Sequence, residues 1–194
     1  MIITEPKWKR WVVETTGHIF TPKLCQDIIN LSKTLPSEKG KIFEGVKEGV
    51  KEGEGKRVST ISWIPFNKMQ PMYDEVNTFI QKTNKNQFGF GDIQITEMAQ
   101  ITEYIKGELY DWHTDIRVDM SLEPPVRKLS MTLLLNDPSE FDGGELKIAG
   151  VETSPIMKQG HATIFASFLQ HKVTPVTRGV RRSLVMWFGG EPFK

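Results

Sequence analysis

From Ile93 onward the chain breaks into short alternating runs of apolar and polar residues. The runs cover residues 93–105, 109–115, 128–135, 144–149, 162–166, 171–177 and 181–188. Between them stand Lys106-Gly107, Pro124-Pro125, Asn136-Asp137-Pro138, Asp142-Gly143-Gly144, Gly160 and Gly179. Period-two alternation marks strands with one buried face, and Gly, Pro, Asn and Asp supply the turns. The first half reads differently. A loose strand over 10–20 leads to Thr21-Pro22, an N-cap followed by proline at the first helical position. Leu24, Ile28, Ile29 and Leu31 then predict a helix over 22–35, ending before Pro36. A strand is expected at 58–64. Asn67 is expected to cap a second helix over 68–83, with Pro71 in its first turn and Met72, Val76, Phe79 and Ile80 on one face. Two helices followed by many short strands predict an α+β domain whose helices support a β-sandwich or jelly roll. One domain over 1–194 is the expectation, with helical support in 1–92 and the β core in 93–190.

Residues 37–57 carry a short imperfect repeat, Gly45-Val46-Lys47-Glu48, Gly49-Val50-Lys51-Glu52 and Gly53-Glu54-Gly55-Lys56. That composition predicts a mobile surface loop; a lid that orders over substrate is the functional alternative. The 25 basic residues against 24 acidic ones give no electrostatic reason to expect a nucleic-acid partner. A single cysteine, Cys25, excludes an internal disulfide and a cysteine-based zinc cluster, and its expected place is the interior of the first helix. The amino terminus lacks the apolar run of a signal peptide, and no apolar stretch approaches a membrane-spanning length, so a soluble cytoplasmic protein is expected.

The chemistry concentrates in Trp112-His113-Thr114-Asp115. In a strand His113 and Asp115 share a face and Thr114 takes the other. A third ligand must come from elsewhere, and the chain has four histidines: His18, His113, His161 and His171. If His171 completes the set, two imidazoles and one carboxylate form the facial arrangement that suits non-haem iron(II). The same donors also hold hydrolytic zinc, so the set alone leaves the reaction open. Downstream, Arg181 and Ser183 share one strand face and Arg182 takes the other. A hairpin about Arg178-Gly179 would bring Arg181 back beside the strand of His171, where its guanidinium, helped by Ser183, can pair with a carboxylate. A zinc hydrolase has no such requirement. His161 and His18 are expected in structural roles, and Gly143-Gly144 in a turn with positive φ.

Several segments, in order, resemble one family. Tyr104 to Asp115 follows Y-x-x-G-x-x-Y-x-x-H-x-D, Arg127 to Asn136 follows R-x-L-S-x-T-x-x-L-N, Phe141 to Leu146 follows F-x-G-G-E-L, and His171 to Arg181 follows H-x-V-x-P-V-x-x-G-x-R. The run from Tyr104 to Phe188 is thus similar to the catalytic core of iron(II)- and 2-oxoglutarate-dependent dioxygenases of the prolyl 4-hydroxylase-like kind, above all the PKHD-type hydroxylases. The resemblance implies a double-stranded β-helix, iron held by His113, Asp115 and His171, and the far carboxylate of 2-oxoglutarate held by Arg181. It implies Tyr104, and less directly Tyr110, as walls of the cosubstrate pocket. Related halogenases lack the carboxylate, so Asp115 favours hydroxylation. Dioxygen would be the second cosubstrate, ascorbate a reductant, and succinate a product. A peptide or protein, prolyl residues first, is the implied substrate, with a small molecule as the alternative. One departure stands out: Gly160-His161-Ala162 replaces the usual Gly-Asp-Ala. Two further readings stay open, a catalytically silent sensor of metal or 2-oxo acid and a zinc hydrolase.

Overall fold

The computed structural model describes residues 10–40, 57–116, 125–155 and 157–192. The strands in chain order are β1 (Val12–Glu14), β2 (Ser37–Lys39), β3 (Arg57–Val58), β4 (Thr60–Ile64), β5 (Gln94–Ile95), β6 (Ala99–Ile105), β7 (Leu109–His113), β8 (Val126–Leu134), β9 (Phe141–Gly143), β10 (Leu146–Ile148), β11 (Ala162–Ala166), β12 (His171–Val173) and β13 (Val176–Gly190). The helices are α1 (Pro22–Ser32) and α2 (Gln70–Thr83). A large sheet runs β1-β11-β8-β13-β6-β4-β2, with β5 and β9 also paired along β13; a smaller sheet runs β10-β12-β7-β3. The pairings are antiparallel. Phe165 of the large sheet packs on Leu146 and Ile148 of the small one, and Tyr104 packs with Val173 and Tyr110, so the sheets stack as the expected jelly roll.

The two faces of the large sheet differ in chemistry. One presents Ile101, Leu129, Met131, Leu133, Ile164, Leu184, Met186 and Phe188 to Cys25, Ile28 and Ile29 of α1 and to Met72, Val76 and Ile80 of α2. Each such side chain contributes roughly 1.5–3 kcal/mol when fully buried. Tyr73 fastens α2 to the sheet: its hydroxyl donates to the Ile64 carbonyl at 2.5 Å and accepts from the Ala99 amide at 2.7 Å. The opposite face, turned to the small sheet, carries Gln100, Thr102, Ser130, Thr163, Arg181 and Ser183, all buried. Buried polar groups need partners. Gln100 donates to Thr102, Ser130 to Asp115 and Arg181 to Ser183, which leaves the Arg181 Nε and Trp187 Nε1 without a partner among the described residues.

The structure corrects several local expectations. Thr21 does cap α1, accepting from the Leu24 amide at 3.2 Å, but the helix stops at Ser32. Asn67 caps nothing: it lies within a 3-10 turn, Phe66–Lys68, and α2 starts only after Met69. The stretch 37–57 is not all loop. Ser37–Lys39 pairs with β4, and Arg57–Val58 pairs with β7, while the repeat at 45–56 lies outside the described residues. The single expected strand 93–105 is two, because β5 pairs with the far end of β13 and β6 with its middle. The expected hairpin at Arg178-Gly179 is absent. The chain turns instead at Thr174-Pro175 and continues as one long β13. Gly179, at φ +70°, sits where β13 leaves β9 for β6, and a Cβ there would strike the Glu140 carbonyl.

Candidate metal centre

β7 ends at His113 and β12 begins at His171, and the two histidines are register partners with ring centroids 4.1 Å apart. Each ring is anchored through Nδ1, His113 on the Asp111 carbonyl at 2.7 Å and His171 on the Leu169 carbonyl at 3.0 Å. With those Nδ1 atoms donating, both Nε2 lone pairs face the same space. Asp115 does not share a strand face with His113 as expected, because it stands two residues past the end of β7. Other bonds bring it in. Its amide donates to the Ser167 carbonyl at 3.0 Å, its own carbonyl accepts from Arg127 at 3.3 Å, and its Oδ2 accepts from Ser130 Oγ at 2.6 Å. The His113, Asp115 and His171 ligand atoms all lie within 4.8 Å of one another. Nε2 of His113 is 3.8 Å from Oδ1, and Nε2 of His171 is 3.5 Å from Oδ2, which leaves room for an ion among them.

The protonation states suit that ion. Burial, and then the neighbouring His171, pushes His113 down to about 4. Burial alone would raise the Asp115 carboxyl, yet His171, His113, the Ser130 hydroxyl and Arg127 together hold it below the usual carboxylate range. Two imidazoles and one carboxylate, each oriented through its second polar atom, are a donor set that fits iron(II). Ring contacts fix the imidazole planes. Tyr110 stacks on His113 at 3.4 Å, Phe165 meets His171 edge-on at 4.6 Å, and the Arg57 guanidinium covers Tyr110 at 4.7 Å.

Arg181 lies on the inward face of β13, 3% exposed, with one N–H donating to Ser183 Oγ at 3.0 Å. Tyr104 lies beneath it, its ring 5.8 Å from the guanidinium carbon. The Arg181 Nε has no hydrogen-bond partner among the described residues. A buried cation with an orphaned N–H is costly unless an anion meets it, so the guanidinium fits a carboxylate. Trp187 Nε1, on the same strand face, is a second donor without a partner among the described residues; Arg127 stacks on its indole at 3.9 Å and pairs with Glu97. Arg182 points the other way, to Glu103 at 2.7 Å. His161 stays outside the set, its Nδ1 at 3.2 Å from the Thr15 carbonyl. Sequence reasoning missed Ser130, Ser167, Arg127 and Trp187. Arg127 and Ser130 did stand in a quoted motif, and Trp187 has the strand parity of Arg181, so the signal was present without a role attached.

Part of the chain is similar to iron(II)- and 2-oxoglutarate-dependent oxygenases. Residues 99–189 match the model of the 2OG-Fe(II) oxygenase superfamily. Over 89 residues the chain is 38% identical to a PKHD-type hydroxylase of Shewanella frigidimarina, covering 43% of this chain and 39% of that one. Over 91 residues it is 37% identical to one of Xanthomonas campestris pv. campestris, covering 43% and 40%. The matched stretch thus spans about 40% of the length of these relatives. Among solved structures, a viral collagen prolyl hydroxylase of Paramecium bursaria Chlorella virus-1, with 2OG bound, aligns at TM-score 0.72 and 17% identity, covering 94% of this chain and 97% of that one. A Pseudomonas putida prolyl-4-hydroxylase aligns at 0.67 and 22%, covering 94% of each. A Trichoplax adhaerens prolyl hydroxylase in complex with a hypoxia inducible factor peptide fragment aligns at 0.68 and 16%, covering 92% of this chain and 83% of that one. At these identities the structures speak for the fold, and the fold is the expected one.

Proposed function

We propose that this chain hydroxylates a C–H bond, using iron(II), 2-oxoglutarate and dioxygen, with ascorbate as a reductant. One observation carries the reading: the His113, Asp115 and His171 donors converge between the sheets, and Tyr110 and Tyr104 pack in series from His113 to the buried Arg181, whose Nε has no partner among the described residues. Hydrolysis at a zinc site does not require that guanidinium. His113, Asp115 and His171 would hold the iron, which when bound supplies the dioxygen activation that turns 2-oxoglutarate into succinate and carbon dioxide and puts one oxygen atom on the substrate. Arg181 and Ser183 would hold the far carboxylate, and Tyr104 and Tyr110 would wall the pocket and exclude water. The substrate reading is a peptidyl residue, prolyl first. It is supported by the hydroxylase names of the sequence relatives and by the peptide bound to the Trichoplax neighbour.

The test is succinate formation from 2-oxoglutarate by the iron(II)-loaded protein under oxygen. It should be present without substrate at a slow rate and absent in His113→Ala at unchanged fold. Arg181→Ala should raise the apparent KM for 2-oxoglutarate by about 30-fold or more, the cost of truncating one member of a buried charged pair; an unchanged KM removes Arg181 from the role. A peptide array read by the mass gain of one oxygen then identifies the residue modified. Tight 2-oxoglutarate binding with no turnover on any substrate would instead favour a sensor.

A further inference from the structure

Asp115 is the one member of the donor set that no strand holds, since β7 ends two residues before it. Its main chain is tied down by Ser167 and Arg127, but its carboxylate has a different anchor. Ser130 Oγ lies 2.6 Å from Oδ2, and Ser167 Oγ lies 2.9 Å from Ser130 Oγ. The two serines are 1% and 0% exposed. Ser130 belongs to β8, which sits between β11 and β13, paired with Phe165 on one side and Trp187 on the other. Ser167 opens the turn between β11 and His171, and its amide donates to the Lys128 carbonyl at 3.0 Å.

The direction of the chain of hydrogen bonds follows from the chemistry. An ionised carboxylate only accepts, so the single Ser130 proton goes to Asp115. Ser130 then accepts, and Ser167 is the donor in their contact. The order is Ser167 to Ser130 to Asp115. We propose that Ser130, oriented by Ser167, is a positioning residue that fixes the rotation of the Asp115 carboxylate and so presents it as a one-oxygen metal ligand. Occupation of Oδ2 by a buried hydroxyl on the sheet's interior strand limits how far the carboxylate can swing or chelate through both oxygens. The relay also ties the setting of Asp115 to the turn that delivers His171. This inference rests on the metal-site reading above, and it assigns a use to the serine of the R-x-L-S segment.

The test is cobalt(II) titration of the full chain, followed by its visible d–d spectrum, which reports ligand geometry without turnover. Outer-sphere partners of metal ligands are worth 10–100-fold in affinity, so Ser130→Ala should weaken cobalt binding by about that factor and shift the d–d bands. Ser130→Thr keeps the hydroxyl and should restore both affinity and spectrum. Ser167→Ala should move both in the same direction by less. If Ser130→Ala proves unfolded by circular dichroism of the metal-free protein, Ser167→Ala and Ser130→Thr carry the test. Wild-type affinity and bands in the folded serine variants, alongside lost binding in His113→Ala, would overturn the relay and leave the metal site standing. Absence of cobalt binding in the wild type, or unchanged binding in His113→Ala, would remove the metal site and the relay with it.

Discussion

Burial gives His113 the property a metal ligand needs, because a desolvated imidazole resists protonation. The same fact has a consequence for stability. Its folded value, about 4, lies below the ordinary 6.5, so as pH falls the unfolded chain takes up this proton first. The contribution of His113 is therefore fully present above pH 6.5 and is lost as pH falls toward 4. By pH 4.5 the loss should reach about 2 kcal/mol in the metal-free protein. Urea unfolding at pH 7 and 4.5 checks this: His113→Asn, which cannot titrate, should lose less stability between the two than the wild type does. Equal losses would mean that the ring is not desolvated as described. At this scale the sequence was legible where residue types are rare and chemically committed. His113, Asp115, His171 and Arg181 fall in that group. Ser130 and Arg127 do not, because serines and arginines serve many purposes and only a distance of 2.6 or 3.3 Å reveals which.

Elements were legible by their local signals and obscure where distant partners decide them. Thr21-Pro22 announced α1 correctly because a cap acts within one turn. Asn67 misled because the Phe66–Lys68 turn intervenes before α2. The long β13 shows the limit more clearly. Its glycine at 179 looked like a reversal, yet Phe141 on β9 and Val180–Val185 against β6 keep the strand going. Nothing local to Arg178-Gly179 encodes those neighbours. The turn before β10 matters to the site in its own right. Gly144, at φ +62°, lies under Arg181, and an added Cβ would stand 2.7 Å from Arg181 Cδ and 3.0 Å from Val176. Gly107, at φ +86°, has open space around its Cα. Alanine at either position should cost roughly 1–2 kcal/mol of backbone strain. Gly144→Ala alone should also displace the guanidinium and weaken 2-oxoglutarate binding, measured by calorimetry on the manganese(II)-loaded protein to prevent turnover. Equal affinities in the two variants would show that Gly144 serves the turn and not the arginine.

At the scale of the molecule, the donor set is anchored in both layers of the jelly roll. His113 and His171 belong to β7 and β12 of the small sheet, whereas Asp115 hangs from Ser130 on β8 and from the Ser167 turn after β11 of the large one. Alternation and turn spacing made the layered fold readable, but not which strand lies beside which, since partners such as β6 and β13 are joined only through long-range pairing. An ion shared by these donors would act as a rivet between the sheets. Because an unfolded chain does not bring the three groups together, binding should stabilise the folded state by mass action, by about 2.7 kcal/mol at a metal concentration one hundred times Kd. For a chain of this length that corresponds to a rise in Tm of roughly 5–10 °C. Thermal unfolding at increasing iron(II) or manganese(II) should show the midpoint climbing with the logarithm of metal concentration and falling back with chelator. In His171→Ala the climb should vanish while the chelated midpoint stays measurable, because the helix-facing core does not include that residue. A midpoint indifferent to metal in the wild type would mean that the two layers are held by their apolar contacts alone, and that the convergence of His113, Asp115 and His171 is not a binding site.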